Sequence, residues 1–156
     1  MKMSIKILGA VAVLMLAAAC SSSTTPGPEG ATASVAPGTP GHFQQVAGDR
    51  IYFETDMSTL TPDARATLDK QAAWLKQYGD RYQTFMIEGH ADERGTREYN
   101  LALGERRANM ARTYLSSQGI PAAKLRTISY GKERPEVVGS DEGAWSRNRR
   151  AVTVLQ

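Results

Sequence analysis

The sequence predicts an α/β fold in its last two-thirds: a two-layer sandwich in which a small mixed β-sheet carries two main helices on one face, plus a short helix. Short β-prone stretches alternate there with longer segments of helical periodicity, which is the pattern of layered α/β domains. The 156-residue chain is 41% hydrophobic and 22% charged, as globular proteins are. From position 49 onward roughly 108 residues remain, enough for a single core.

The first half of this domain is predicted to run strand, helix, strand. Residues 50–54 (RIYFE) alternate in polarity and are β-prone, which predicts the first strand. Residues 61–63 (TPD) are typical of a helix start, and apolar residues three to four positions apart continue the helix to Tyr78. Residues 84–88 (TFMIE) predict the second strand.

The second half begins with a polar loop over residues 91–97. A second main helix is predicted over residues 100–118, because Gly119 and Pro121 follow it as they commonly follow a helix C-terminus. The remaining predicted elements are a strand over residues 125–130, a short helix near residues 141–147 and a last strand over residues 151–155.

The first 19 residues have the pattern of a secretory signal peptide. Lys2 and Lys6 give a short basic start, and an apolar run over residues 7–19 follows that is too short to span a bilayer as a helix. Without these two lysines the chain carries 17 basic against 16 acidic residues. The calculated isoelectric point of about 9.1 therefore owes much to the leader, and we predict no nucleic-acid binding.

Small residues lead up to Cys20, the single cysteine of the chain. A lone cysteine cannot form an internal disulfide, so a free thiol or an intermolecular bridge is one interpretation. Its place directly after the cleavage pattern resembles instead the bacterial lipobox, in which the thiol receives diacylglycerol and the new amine is acylated. Ser21 rather than Asp follows, and by the same resemblance this implies a lipid anchor on the periplasmic side of the outer membrane. Three acyl chains would make release negligible.

The segment after Cys20 is dominated by Ser, Thr, Pro, Gly and Ala up to about residue 47. Such a composition buries too little apolar surface to offset the entropy of ordering, which predicts a flexible linker. The alternative is a long loop that packs on the domain. The predicted organisation is a signal peptide over residues 1–19, lipidated Cys20 with its linker over residues 20–48, and a folded domain over residues 49–156.

Two opposite charges are predicted to lie close together beside the second strand. Asp92 follows the strand in its loop, while Asn100, Leu103 and Arg107 share one face of the next helix at i, i+3 and i+7. A carboxylate facing a guanidinium suits a zwitterionic ligand, because the planar fork of arginine can bind a carboxylate bidentately. The alternative is a structural ion pair between Asp92 and Arg107, and spacing alone favours that alternative.

Five motifs favour a ligand site over a structural ion pair. In order and spacing they resemble the OmpA-like domain of the peptidoglycan-associated lipoprotein family, over residues 50–156. They are GHADERGT at residues 89–96, EYN at 98–100, LGERRAN at 103–109, SYGKERP at 129–135 and NRRAV at 148–152.

The resemblance implies a ligand and a role for each matched residue. The ligand would be meso-diaminopimelate in the peptide stems of peptidoglycan, with Asp92 holding its free ammonium and Arg107 the neighbouring carboxylate. Asp56 matches the aspartate of the first-strand loop that helps to shape the site. Asn100 would orient the loop, and Leu103 would pack beneath the pocket.

The resemblance also implies partners. The protein would tether the outer membrane to the cell wall as part of the Tol-Pal system, docking with TolB and other Tol proteins and serving envelope integrity and outer-membrane constriction at cell division. Other charged residues are interpreted as scaffold: Arg106 points off the shared helix face, and Arg149 and Arg150 straddle the start of a strand.

A cell-wall hydrolase is the rival class. His90 and Asp92 lie two residues apart with acidic neighbours, so a metal or acid–base site can be imagined. The other histidine, His42, falls in the predicted linker, and no Gly-x-Ser-x-Gly turn occurs. We therefore predict a binding protein and not an enzyme, without metal or cofactor, and interpret His90 as hydrogen-bonded scaffold.

Overall fold

The structure, a computed structural model, describes residues 35–156. The predicted signal peptide, Cys20 and the predicted linker as far as residue 34 lie outside the described residues. Across residues 35–156, no helix combines the length and apolar character needed to cross a membrane.

The described residues form helices and strands that alternate along the chain. In order they are α1 (Pro40–Val46), β1 (Arg50–Tyr52), α2 (Pro62–Tyr78), β2 (Phe85–His90), α3 (Arg97–Ser117), β3 (Leu125–Gly131), α4 (Glu142–Asn148) and β4 (Arg150–Leu155).

The four strands form one mixed sheet in the order β1-β4-β2-β3. β4 pairs antiparallel with both β1 and β2, whereas β2 and β3 are parallel. The long helices lie on one face, where the Thr153 hydroxyl of β4 donates to the Gln71 side chain of α2 and the Ser129 hydroxyl of β3 donates to the Leu101 carbonyl of α3. The predicted fold class, with a mixed sheet, two main helices and a short one, is confirmed.

A hydroxyl or carboxylate begins each of the three predicted helices. The Thr61 and Asp141 side chains accept from the backbone N–H groups of Ala64 and Ala144 and so cap α2 and α4. Thr96 caps α3 by accepting from the Tyr99 N–H. This helix therefore begins at Arg97, three residues before the predicted start.

Two glycines set how closely α3 approaches the sheet. A Cβ atom added to Gly89 of β2 would lie 1.8 Å from the carbonyl oxygen of Gly104 in α3, a separation no side chain could tolerate. Gly104 is equally confined, since its Cβ would lie 2.4 Å from the Ser129 hydroxyl. Backbone therefore meets backbone here, and the next turn of α3 is brought against the end of β2.

The predicted linker is wrong at its C-terminal end, because residues 35–48 pack on the domain. Thr39 caps α1 by accepting from the His42 N–H, and Phe43 is buried to 2% exposure against the Trp74 ring, 4.9 Å between centroids. The Trp74 indole N–H donates to Nδ1 of His42 at 2.8 Å. A few aromatic contacts thus order a segment whose average composition indicates disorder.

Candidate functional site

The candidate site lies where β2 ends. The loop after β2, the chain that leaves β1, the first turns of α3 and the junction between α4 and β4 meet there. The carboxyl end of β2 lies beside the end of its parallel neighbour β3 and beside the start of its antiparallel neighbour β4.

Arg107 is the centre of this site and is fully buried. Its Nε donates to the Met57 carbonyl at 2.8 Å, Nη1 to the His90 carbonyl at 2.8 Å and Nη2 to the Glu54 carbonyl at 3.1 Å. Burial lowers the pKa of Arg107 to about 10, so the guanidinium still carries its charge at neutral pH. It thereby joins α3 to the chain after β1 and to the end of β2.

Asp92 is also nearly buried, at 7% exposure. Arg94 grips it with its side chain, Nη2 to Oδ2 at 2.7 Å and Nε to Oδ1 at 3.1 Å, and its backbone N–H also donates to Oδ1. Burial alone would raise the pKa of the Asp92 carboxyl, but the hydrogen bonds and charge of Arg94, with the charge of Arg149, hold that pKa below its usual value.

The ion pair between Asp92 and Arg107 that spacing favours is not formed. Within residues 35–156, the cations within 4.0 Å of Asp92 are Arg94 and Arg149, and Arg107 takes part in no ion pair at this distance. Both charges therefore belong to one buried cluster without neutralising each other directly.

The other predicted site residues surround this pair. Asn100 is 2% exposed, and its side-chain N–H groups donate to the carbonyls of Arg94 at 2.7 Å and Thr96 at 3.0 Å, two residues of the loop after β2. Leu103 is buried at 5% exposure. Asp56 adopts a positive φ of 59° and accepts a hydrogen bond from the Tyr99 hydroxyl, so it ties the chain after β1 to α3.

The site also contains two arginines that the sequence analysis did not assign to it. Arg94 covers Asp92, reaches the Thr55 hydroxyl at 3.4 Å and stacks over the Trp145 ring, 4.2 Å from its centroid. Arg149 lies with its Nη1 3.6 Å from Oδ2 of Asp92. The sequence could have indicated Arg94, because it follows Asp92 by two residues in the same loop. It could not have indicated Arg149, whose approach to Asp92 depends on where β4 lies in the sheet.

His90 lies beside the site but is not hydrogen-bonded scaffold. Its ring is 2% exposed and packs 5.5 Å from the Tyr130 ring. Among residues 35–156 neither ring nitrogen has a hydrogen-bond partner, and Oε2 of Glu88 lies 3.7 Å from Nε2. Burial lowers the pKa of His90 to about 4, and the charges of Arg150 and Arg134 contribute. The ring is therefore neutral at pH 7. Among residues 35–156, no three or more His, Cys, Asp and Glu side chains are grouped to hold a metal ion.

Comparison with known proteins shows which proteins this chain resembles. The model of the OmpA family matches residues 52–149. The chain is 50% identical over 155 residues to a peptidoglycan-associated lipoprotein of Mesorhizobium japonicum, covering 96% of this chain and 90% of that one. It is 55% identical over 126 residues to a peptidoglycan-associated lipoprotein of Agrobacterium fabrum, covering 81% and 70%.

Solved structures agree. The crystal structure of the peptidoglycan-associated lipoprotein from Burkholderia pseudomallei superimposes with a TM-score of 0.65 at 41% identity, over 69% of this chain and 90% of that one. The C-terminal domain of Helicobacter pylori MotB superimposes with a TM-score of 0.64 over 69% of this chain and 84% of that one. At 18% identity the second match shows a shared fold alone.

Proposed function

The chain belongs to the OmpA family and, within it, to the peptidoglycan-associated lipoproteins, and from this premise we propose that its folded domain binds peptidoglycan without a covalent bond. Membership of the family confirms the resemblance drawn from the five sequence motifs. The ligand, the residues that bind it and the membrane anchor are the content of the proposal.

The unneutralised charge of Arg107 carries this proposal. Three backbone carbonyls accept from its guanidinium, but no carboxylate lies within ion-pair distance among the described residues. A buried charge is costly unless it is paired, so the arrangement favours a ligand that brings a carboxylate. Asp92, in the same cluster, supplies the complementary charge for an ammonium.

A free diaminopimelate end offers both groups on one carbon atom. In the proposed complex Asp92 accepts from the ammonium, and Arg107 donates to the carboxylate through the two of its five N–H groups that no carbonyl uses. Asn100 keeps the loop of Asp92 in place, Leu103 packs beneath the pocket, and Asp56 shapes its rim. Arg94 covers Asp92 and moves aside when the ammonium takes its place.

The cellular role follows from the two ends of the chain. Acyl chains on Cys20 anchor the protein to the periplasmic face of the outer membrane, while the domain holds the wall. The same domain docks with TolB and other Tol proteins in the Tol-Pal system, which serves envelope integrity and outer-membrane constriction at cell division. Of these statements, the anchor rests on the sequence pattern around Cys20, and the partners rest on the family.

Cosedimentation with purified peptidoglycan tests the wall-binding role. Asp92→Asn keeps the shape of the side chain and removes its charge, so we expect at least about a thirtyfold weaker association. Asp80→Asn is the matched control, because Asp80 is fully exposed near the other end of β2 and its ion-pair partner among the described residues is Lys124. Equal sedimentation of both variants would remove Asp92 from the site.

Competition identifies the ligand. Free diaminopimelate should release the bound chain, whereas lysine, which lacks the second carboxylate, should compete poorly. Equal competition by the two would exclude the carboxylate from recognition. Soluble fragments released from the same wall preparation would favour the hydrolase class instead.

The anchor has its own test. The Cys20→Ser chain should carry no acyl groups, leave the membrane fraction and keep its affinity for peptidoglycan. Retention in the membrane fraction would show that another part of the chain provides the anchor.

A further inference from the structure

We propose that the outer edge of β3 is a docking site for an acidic, extended segment of a partner protein, which adds a fifth strand to the sheet. The site is separate from the proposed wall-binding site and does not depend on it. β3 (Leu125–Gly131) is the longest of the four strands, and in the sheet of the described residues its one neighbour is β2. About half of its peptide groups therefore face away from the sheet, where they can pair with another strand.

A groove of about 640 Å³ lies along this edge at the start of β3. Three consecutive residues of β3, Leu125, Arg126 and Thr127, line it together with Arg112 of α3. A groove of this size has room for a further chain, which would lie ~4.8 Å from β3. Strand addition of this kind gives affinity through the backbone and specificity through the side chains that flank the edge.

The two arginines of the groove lie on opposite faces of the sheet. Thr127 is on the helix face, since its hydroxyl donates to the side chain of Asn109 in α3. Arg126, its neighbour in the strand, therefore points to the other face. Arg112 follows Asn109 by three positions on α3, so it flanks the edge on the helix face. A strand added here has one guanidinium on each of its faces.

Both guanidiniums are available to a ligand of opposite charge. Among residues 35–156, the ion pairs within 4.0 Å involve other side chains. No Asp or Glu of this part of the chain lines the groove. Because consecutive residues of a strand point to opposite faces, two consecutive acidic residues would meet Arg112 and Arg126. The geometry thus specifies an acidic pair within a β-prone segment.

A second copy of this chain does not fit the edge. Pairing of β3 with the β3 of another copy would bring four arginines along one strand pair, and like charges across neighbouring strands are destabilising. The complementary charge therefore has to come from a different protein chain.

The test is NMR titration of the ¹⁵N-labelled full chain with two capped peptides, Thr-Val-Glu-Glu-Val-Thr and Thr-Val-Gln-Gln-Val-Thr. The acidic peptide should bind about tenfold more tightly, because it alone forms two partly exposed ion pairs. Salt at about 0.5 M should reduce this difference to about twofold. The amide resonances that shift should be those of β3, and its outward-facing amides should exchange more slowly with the peptide bound.

Arginine variants assign the two charges. Arg112→Gln and Arg126→Gln should each weaken binding of the acidic peptide about threefold and leave that of the glutamine peptide unchanged. The double variant should bind both peptides equally. Arg65→Gln is the matched control, because Arg65 is an exposed arginine of α2 outside the groove and its loss should change neither affinity.

Failure of the acidic peptide to bind, equal affinity of the unaltered chain for the two peptides, or shifts confined to other parts of the domain would overturn the proposal. Inorganic phosphate is the remaining control. If it moved the β3 resonances as far as the acidic peptide does, with amide exchange unchanged, the two arginines would be an anion site and strand pairing would be excluded. The proposed wall binding through Arg107 stands or falls separately, since it is measured with peptidoglycan.

Discussion

Different kinds of contact stabilise the structure around the two ends of β2. At its start, the N-terminal segment docks through rings: Phe43, Trp74 and Tyr78 pack against one another, and Tyr82 donates to the Gly38 carbonyl. At its other end, charges dominate, and the largest fully buried side chain among residues 35–156 is that of Arg107. Six residues of strand, roughly 20 Å, separate the two.

We infer that the contacts at the aromatic end serve stability, whereas those at the charged end also serve recognition. Burial of rings is non-directional and can be lost without affecting a distant ligand. Buried charges are held by specific acceptors, and the same groups are available to a ligand of complementary charge. Substitutions at the aromatic end should therefore change the free energy of unfolding alone, and substitutions at the charged end should change binding as well.

Arg107→Ala should give the largest effect and should destabilise the fold as well as abolish binding. It leaves three carbonyls without a donor, and the buried one, that of His90, costs about 1–3 kcal/mol. It also removes a fully buried side chain and leaves a cavity, so we expect a loss of about 4–5 kcal/mol in the free energy of unfolding. Guanidinium chloride denaturation measures it. Arg106→Ala is the control, since this neighbour is exposed and should change stability by less than about 0.5 kcal/mol. A fully stable Arg107→Ala would mean that Arg107 serves the ligand alone.

Phe43→Ala is the corresponding substitution at the aromatic end. Removing a buried ring should lower the free energy of unfolding by about 3–4 kcal/mol, through lost burial and the cavity left behind. Affinity for peptidoglycan, measured under conditions where the variant is folded, should stay within about twofold of the unaltered chain. A loss of affinity would show that the two ends of β2 are energetically coupled.

His90 gives the charged end a pH dependence. Its pKa is about 4 in the folded chain, below the ordinary value of 6.5, so the unfolded chain binds the proton first as pH falls. Stability is therefore full above about pH 6.5 and declines toward pH 4, by about 2–3 kcal/mol at pH 4.5. His90→Phe, which keeps a ring beside Tyr130, should remove most of this decline. An unchanged pH profile in that variant would assign the decline to other groups.

The sequence patterns predict the layers of the fold because local periodicity and helix caps agree with the tertiary structure, as at Thr61 and Tyr78. They miss α1, since one buried phenylalanine decides its docking while its neighbours are small and polar. Thr39 followed by Pro40 is a helix start of the same kind as at residues 61–62. The average composition of the segment favoured a flexible linker instead, and the prediction followed the composition.

The sequence predicts the part of the candidate site that lies on α3 and in the loop after β2. Spacing places Asn100, Leu103 and Arg107 on one buried face, and all three are buried there. Two of the three carbonyl partners of Arg107 belong to residues 50 and 53 positions earlier, and no local pattern encodes such contacts. Arg149 reaches Asp92 because β4 lies between β1 and β2, so its place follows from topology and not from spacing.

Trp74→Phe should give the smallest effect, and it bears on how far the domain can reach. It removes the N–H donor to His42 and keeps most of the ring packing, so we expect a loss of about 1 kcal/mol confined to the docking of α1. Hydrogen exchange should quicken in residues 35–48 and remain unchanged in β2.

An undocked α1 would lengthen the predicted tether. From Cys20 to residue 34 the chain spans at most ~50 Å, and release of the 14 residues 35–48 would extend that limit to ~100 Å. The aromatic contacts at one end of β2 would then set the distance from the membrane at which the charged end meets the wall. Exchange that quickens equally throughout the domain would instead make α1 part of one cooperative unit and fix the shorter reach.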